Sequence, residues 1–172
     1  MGAFNTFCSY CGSPFGHVLV FPRTCPDCSS VTWSNPLPVG VAIIPIAETG
    51  GVLLIQRSIF PLGPALPGGF METGRGWREN VVREIVEETG LIIEASTVSL
   101  FRSPVVDTLF DTPNGNMVIF TCVPSVTLRD VETAFKPNDE VSGWSVGKIG
   151  HTLIFPAHQA VMEAFLREKG VM

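Results

Sequence analysis

The chain has 172 residues, 45% of them hydrophobic, which allows one domain with a sizeable core and a small appendage. Its 11 Lys and Arg residues stand against 16 Asp and Glu residues, and no basic run occurs, so a nucleic-acid partner is not expected. No apolar run is long enough to span a membrane, and no apolar signal core begins the chain, so we expect a cytoplasmic protein.

Two paired-cysteine turns lie near the start of the chain. Cys8 and Cys11 form the first pair, and Cys25 and Cys28 form the second, with two residues inside each pair. This spacing suits tetrahedral thiolate coordination of Zn²⁺, and two disulfides are the alternative. The flanking Gly and Pro residues and the lack of a secretion signal favour zinc. We therefore predict a zinc ribbon over residues 1–34, with structural Zn²⁺ supplying much of its folding free energy.

The following segment predicts a linker and then a second domain over residues 35–172. Asn35–Pro38 carries two prolines and is typical of a short linker. Apolar and β-branched runs predict the strands of this domain, which are Val39–Ala47, Val52–Gln56, part of Leu91–Val106, Met117–Val123 and Val141–Val146. Glu-Thr-Gly-Gly joins the first two runs and predicts a hairpin, and Pro113–Gly115 predicts a turn. Helical periodicity extends from Pro156 to about Glu168, with the proline suited to a first turn.

Three carboxylates occupy one face of a further predicted helix. Glu84, Glu87 and Glu88 are spaced i, i+3, i+4, and Gly90 is typical of the C-terminal cap. Acidic side chains at a helix C-terminus are disfavoured by roughly 0.3–1 kcal/mol each, and Glu84 and Glu88 repel one another. A solvated acidic face is the plain alternative. Because the helix also follows a tight Pro-Gly-Gly turn, we predict a divalent cation that offsets the repulsion.

An apolar arc on the same helix predicts how it packs. At about 100° per residue, the arc is formed by Val81, Val82, Ile85 and Val86, and the glutamates fill a neighbouring one. We therefore expect the arc to anchor the helix while the carboxylates point into a cleft.

Together these residues resemble the Nudix box. That box consists of Gly, five residues, Glu, seven residues, then Arg-Glu, an aliphatic residue, any residue, Glu-Glu, any residue, Gly and an aliphatic residue. Gly69 matches the first position, and the whole second half is matched by Arg83, Glu84, Ile85, Glu87, Glu88, Gly90 and Leu91. The resemblance implies an α/β/α sandwich with a mixed sheet over roughly residues 36–170. It also implies hydrolysis of a diphosphate that links a nucleoside to another group.

One box position departs from the family pattern, because Arg75 stands where the family has its first Glu. In the family that Glu supports the loop and its charge network, so the departure bears on metal affinity and rate. Arg75 is expected to pair with Glu79 at i+4, an interaction of a few tenths of a kcal/mol. Glu72, three residues earlier, is a candidate substitute for the missing carboxylate.

The resemblance also implies roles for the matched residues. The expected ligands of catalytic Mg²⁺ or Mn²⁺ are carboxylates and one backbone carbonyl, from Glu84, Glu87, Glu88, Glu140 and either Gly68 or Gly69. Glu84 alternatively helps to activate the attacking water, and Asp139 is the alternative to Glu140 outside the box. Arg83 is expected to orient a glutamate without touching the substrate.

The cysteine ribbon ahead of the box narrows the expected substrates. NADH pyrophosphatases of the family carry a Ser-Gln-Pro-Trp-Pro-Phe-Pro-like segment after the box, and nothing here matches it. Relatives with a short ribbon, an Asn-Pro linker and a C-terminal helix include enzymes acting on ADP-ribose and FAD, so we expect one of these substrates and AMP as a product. The alternatives are a silent nucleotide-binding regulatory module and a pyrophosphohydrolase of NADH or capped RNA. Family members are often dimers, and a homodimer is compatible with the sequence.

Aromatic side chains and histidines supply further candidates for the substrate site. The residues that could stack on a base are Phe70, Phe101, Phe110, Trp144 and Phe155, although core packing is the commoner role of an aromatic residue. The roles of His17, His151 and His158 are open, and a surface position is expected for His158.

Overall fold

A computed structural model describes residues 6–16, 20–102, 109–111 and 116–170, with only the backbone of 109–111 included. The chain divides into two compact units, Met1–Pro36 and Leu37–Met172. Within the described residues, no helix has the length and apolar character needed to cross a membrane. His17, the side chain of Phe110 and the predicted turn at Pro113–Gly115 lie outside this description.

The first unit has very little apolar core. Strands β1 (Arg23–Thr24) and β2 (Val31–Thr32) pair antiparallel. Its buried apolar cluster contains Cys8, Phe15 and Cys25, with Phe21 packed against them. Among the described residues, so small a core contributes little burial, which favours a cross-link at the cysteines.

The second unit contains nine strands among the described residues. In chain order they are β3 (Leu37–Ile43), β4 (Pro45–Ile46), β5 (Gly51–Arg57), β6 (Gly63–Ala65), β7 (Gly68–Phe70), β8 (Ser99–Leu100), β9 (Leu109–Asp111), β10 (Asn116–Cys122) and β11 (Val141–Gly147). One sheet has the order β7-β3-β10-β8, with β9 also paired to β10, and the other has the order β11-β5-β4, with β6 also paired to β5. β3 and β10 run parallel, from Leu37 opposite Asn116 to Ile43 opposite Cys122. The first sheet is therefore mixed, as expected.

In the described part of the unit, three α-helices flank these strands: α1 (Trp77–Thr89), α2 (Leu128–Ala134) and α3 (Pro156–Glu168). α1 ends at Gly90, whose φ of 74° suits glycine and whose N–H donates to the carbonyl of Val86. α2 begins with a capping box in which Thr127 and Asp130 bond reciprocally. A short 3₁₀ turn covers Ala95–Thr97.

Successive residues of β3 pack into different layers of the core. Val41 and Ile43 belong to a cluster that includes Phe120 and residues of α3. Ala42, and Ile44 directly after the strand, belong to a second cluster with residues of α1. This alternation places α1 and α3 on opposite faces of the sheet. The predicted α/β/α sandwich is confirmed.

Most predicted elements are present, with two differences at the start of the domain. The predicted strand Val39–Ala47 divides between two sheets as β3 and β4, because a strand buried on both faces reads as one continuous apolar run and does not show where it changes sheet. The linker prediction was wrong at its end, since Leu37 and Pro38 already belong to β3. Proline is tolerated there because it lies at the beginning of the strand.

Two predictions of burial were wrong. Val86 is exposed although it was assigned to the packing arc of α1, whereas Glu88, from the acidic arc, is buried. His158 is buried as well, because its ring packs against Phe120 and Phe155 at the start of α3. In both cases the packing surface of the helix is set by the neighbouring strands and loops, which helical periodicity does not describe.

Candidate functional site

Two glycines let β7, the strand before the box helix, lie close to its neighbours. Gly68 has a φ of 150°, and a Cβ atom on it would lie 2.2 Å from the carbonyl oxygen of Gly40. A Cβ atom on Gly69 would lie 2.5 Å from Oε2 of Glu84. Only glycine fits at position 68, and a side chain at position 69 would displace the Glu84 carboxylate, because β7 passes close to that carboxylate of α1.

Glu88 is the buried carboxylate of this site. It is 4% exposed, and its Oε2 accepts a hydrogen bond of 2.7 Å from the backbone N–H of Gly68. Burial raises the pKa of Glu88 to about 8; the Gly68 hydrogen bond and the charge of Arg57 oppose this shift, and the charges of Glu84 and Glu140 add to it. An ionised carboxylate at this position therefore needs a cation beside it.

Arg83 joins the other two carboxylates of the box. Its Nη2 donates to Oε1 of Glu84 and its Nη1 to Oε2 of Glu87, both at 2.6 Å, and Nη2 also donates to the carbonyl oxygen of Phe70 at 3.0 Å. Burial, opposed by the charge of Arg83, raises the pKa of Glu84. These contacts are those of a residue that orients carboxylates.

A buried asparagine that the sequence reasoning missed organises the loop before α1. The side chain of Asn80 is 2% exposed, and its Oδ1 accepts the N–H of Glu72 at 2.8 Å. Its Nδ2 lies within hydrogen-bonding distance of the carbonyl oxygens of Glu72, Arg75 and Gly76. A polar residue beside the apolar arc of the helix was the available signal. Asn80 fixes the loop that contains the atypical box position.

Arg75 pairs with Glu72 and not with Glu79, so that prediction was wrong. Its Nη1 lies 3.9 Å from Oε2 of Glu72, and both side chains are about half exposed. The same Glu72 oxygen lies 3.8 Å from Nε of Arg83, which is buried without a hydrogen-bond partner. Glu72 thus brings negative charge to the arginine of the box. This contact keeps Glu72 as the candidate substitute for the missing carboxylate.

The loop between α2 and β11 adds another carboxylate. Glu140 raises the pKa of both Glu84 and Glu88, so its charge acts on both. The backbone N–H of Ser58 donates to the carbonyl oxygen of Glu140 at 2.7 Å. Of the two carboxylates predicted from outside the box, Glu140 is therefore the one whose charge contributes to these shifts of pKa among their main causes.

The four cysteines of the first unit form a compact cluster. Their Sγ atoms all lie within 4.8 Å of one another, and the cysteines are free thiols. The two turns match: Gly12 N–H donates to the carbonyl of Cys8, and Ser29 N–H to that of Cys25, at 3.0 and 2.9 Å. Hydrogen bonds from the backbone of Cys11 and Tyr10 lower the pKa of Cys8 to about 6. This arrangement fits a tetrahedral zinc ribbon.

The family model described as the NUDIX domain matches residues 36–168. The chain belongs to the Nudix family. Its box helix is α1, with the loop before it held by Asn80.

Two curated Nudix relatives match in sequence. An ADP-ribose pyrophosphatase of Methanocaldococcus jannaschii is 42% identical over 76 residues, which is 42% of each chain. The mitochondrial NAD(P)H pyrophosphatase NUDT13 of Homo sapiens is 29% identical over 149 residues, covering 80% of this chain and 40% of the human one. The matched stretches span about two fifths of these relatives' lengths. A solved Nudix hydrolase of Nitrosomonas europaea has a TM-score of 0.66 at 21% identity, covering 96% of this chain and 92% of its own.

The carboxylates of the Nudix box fit a divalent metal ion. All are hard oxygen donors of the kind that Mg²⁺ and Mn²⁺ prefer, and Glu88 is buried with one backbone N–H as its hydrogen-bond donor. The positively charged guanidinium group of Arg83 lies between Glu84 and Glu87 and forms an ion pair with each carboxylate. Of the described residues, only the cysteines bring three or more ligand atoms within 4.8 Å, so a metal ion in the box would draw its carboxylates closer together than they lie here.

The aromatic candidates separate by exposure. Phe70 is exposed beside Gly69, whereas Phe101 is buried, and Trp144 and Phe155 pack against core clusters. Phe60 is also highly exposed and was not predicted. Phe70 is therefore the one predicted aromatic residue, among those whose side chains are described, that is open to a substrate beside the box.

Proposed function

We propose that this chain is a metal-dependent hydrolase that cleaves the diphosphate of a nucleoside diphosphate linked to a second group. The observation that carries the proposal is Glu88, a buried carboxylate of the box helix whose pKa is raised by burial and, to a lesser extent, by the charges of Glu84 and Glu140. Such a group stabilises a bound cation and is costly without one. Water adds across the P–O–P linkage, one P–O bond breaks, and two phosphomonoesters are released.

The residues divide between holding the metal and ordering its ligands. Carboxylate oxygens of Glu84, Glu87, Glu88 and Glu140 and the carbonyl of Gly68 or Gly69 are the proposed ligands of Mg²⁺ or Mn²⁺. When bound, such an ion neutralises phosphate charge and lowers the pKa of water. Arg83 orients Glu84 and Glu87 through its two amino groups. Glu84 either binds metal or accepts a proton from the attacking water.

ADP-ribose is the substrate that we favour, with AMP and ribose 5-phosphate as products. The support is the archaeal relative, which is named as an ADP-ribose pyrophosphatase and matches 76 residues at 42% identity. FAD, which would give AMP and FMN, contains the same ADP half. NAD(P)H is the second candidate, because the human relative named for it matches 80% of the chain.

We assign the cysteine cluster a structural Zn²⁺ that does not meet the substrate. The cluster holds together a unit with almost no other core, which accounts for its presence without a catalytic role. Four free thiols are stable in a reducing compartment, and a cytoplasmic location remains part of this proposal.

A charge-matched pair of variants tests the proposed function. Glu88→Gln keeps an acceptor for the Gly68 N–H but removes the metal ligand, whereas Glu94→Gln removes a charge from an exposed residue after α1. With Mg²⁺ and ADP-ribose, FAD or NADH, we expect turnover by the parent chain and the Glu94 variant, and a loss of about 100-fold or more in kcat for the Glu88 variant. Equal rates for the two variants would remove Glu88 from the site, and no turnover by the parent chain would favour the silent regulatory module.

A further inference from the structure

Asn138 closes a turn in the loop between α2 and β11. Its side-chain Oδ1 accepts hydrogen bonds from the backbone N–H groups of Glu140 and Val141, at 2.9 and 2.8 Å. Its own backbone N–H donates to the carbonyl of Val141 at 2.9 Å. An asparagine side chain that accepts from residues two and three positions ahead fixes the path of the backbone between them. The backbone of Glu140 is therefore ordered locally.

The same side chain also binds the box helix. Nδ2 of Asn138 donates to the backbone carbonyl of Glu87 at 2.9 Å. This carbonyl belongs to the last turn of α1, where carbonyl groups lack partners within the helix. One amide thus joins the Glu140 turn to the helix end that bears Glu87 and Glu88.

Glu140 is held from its other side as well. Its carbonyl accepts the N–H of Ser58, the residue directly after β5. The contacts of Asn138 and Ser58 involve only backbone atoms of Glu140, which leaves its carboxylate available. Because Asn138 ties this turn to the carbonyl of Glu87, the carboxylate belongs to a turn held at the end of α1 that bears the box glutamates.

We propose that Asn138 is a positioning residue that sets the carboxylate of Glu140 against the glutamates of the box by tying its turn to the end of α1. This inference rests on the proposed function, because Glu140 matters only if the box binds metal. It requires both halves of the amide: the oxygen shapes the turn, and the NH₂ group attaches the turn to the helix.

A double-mutant cycle separates positioning from a general structural role. We expect Asn138→Ala to raise the Mg²⁺ concentration for half-maximal activity, or to lower kcat, by about 10–100-fold, as is typical for residues that orient metal ligands. In a Glu140→Gln background the same change should cost less than about 3-fold, because the carboxylate that it positions is gone. Equal costs in both backgrounds would overturn the inference.

Thr49 provides a matched control away from the carboxylates. Its hydroxyl donates to the carbonyl of Ile46 and accepts the N–H of Gly51, closing the turn between β4 and β5. Thr49→Ala should lower thermal stability without changing the Mg²⁺ dependence. Equal effects of Thr49→Ala and Asn138→Ala on that dependence would overturn the inference.

Asn138→Asp tests the tie to the helix if the alanine variant is poorly folded. Aspartate keeps the two acceptor bonds of the turn and loses only the donor to the carbonyl of Glu87. An added carboxylate would by itself tighten Mg²⁺ binding. A rise in the Mg²⁺ concentration for half-maximal activity therefore reports the loss of the hydrogen bond to the carbonyl of Glu87. Unchanged kcat and Mg²⁺ dependence in this variant would overturn the inference, whereas an inactive parent chain would instead reject the proposed function.

Discussion

His158 lies buried at the start of α3 in its neutral form. Its Nδ1 accepts the backbone N–H of Leu66 at 3.3 Å, and its ring lies 5.9 Å from that of Phe120 and 4.8 Å from that of Phe155. Burial, followed by the charge of Arg57, lowers the pKa of His158 from 6.5 to about 3. Protonation would both charge a buried ring and remove the acceptor for Leu66.

This pKa makes stability fall as the pH falls. Between pH 6.5 and 3, the unfolded chain binds a proton at His158 that the native chain excludes, so stability is fully present above pH 6.5 and is lost below it. At about 1.4 kcal/mol per pH unit, the loss at pH 5 is about 2 kcal/mol relative to pH 7.5. Any native pKa below about 4 gives the same figure at that pH.

His158→Asn isolates this contribution, since its Oδ1 can accept from Leu66 but does not titrate. Urea unfolding followed by helical circular dichroism reports the second unit, which contains all three α-helices of the described residues. Truncating the ring makes the variant less stable at both pH values, but we expect the difference from the parent chain to shrink by about 2 kcal/mol between pH 7.5 and pH 5. An equal difference at the two pH values would refute the assignment of a neutral buried histidine.

Four further predictions concern the two proposed metal sites. In metal-free protein, Glu88→Gln should raise the free energy of unfolding at pH 8. This advantage should disappear towards pH 4.5, because the pKa of Glu88 is raised in the folded state. The same variant should lose the stabilisation that Mg²⁺ gives in thermal melts. Asn80→Ala should cost about 2 kcal/mol in urea unfolding, because it leaves several loop groups without partners; a cost below about 0.5 kcal/mol would contradict that role. Arg75→Glu should shift the Mg²⁺ dependence of activity less than Glu72→Gln, since Glu72 already lies beside Arg83. A larger shift in the Arg75 variant would contradict the substitution of Glu72 for the missing box carboxylate. Elemental analysis should find one zinc per parent chain and none in Cys25→Ser, and zinc retained by the variant would exclude Cys25 as a ligand.

The site could be predicted from the sequence wherever its geometry depends only on residues that are close together in the chain. The i, i+3, i+4 spacing of Glu84, Glu87 and Glu88 and the Gly90 cap depend only on helical geometry, and α1 has both. The cysteine spacing likewise predicted a cluster, because each pair lies in one tight turn. Such features are local, so no knowledge of the tertiary structure is needed to find them.

Features that depend on long-range packing were missed. The burial of Glu88 follows from the approach of Gly68, twenty residues away in sequence, and that of His158 from Leu66 and two aromatic rings. The role of Asn138 depends on Glu87, fifty-one residues distant. α2 was also missed, although the Thr127 and Asp130 pair is a local signal that a search for capping boxes would have found.

The central claim is that the box glutamates hold a divalent cation that is required for diphosphate hydrolysis. Product analysis by liquid chromatography and mass spectrometry, with ADP-ribose and Mg²⁺, tests it most directly. We predict equal amounts of AMP and ribose 5-phosphate from the parent chain, none after addition of a chelator, and none from Glu88→Gln. AMP release that persists in chelator and in the Glu88 variant would contradict the claim.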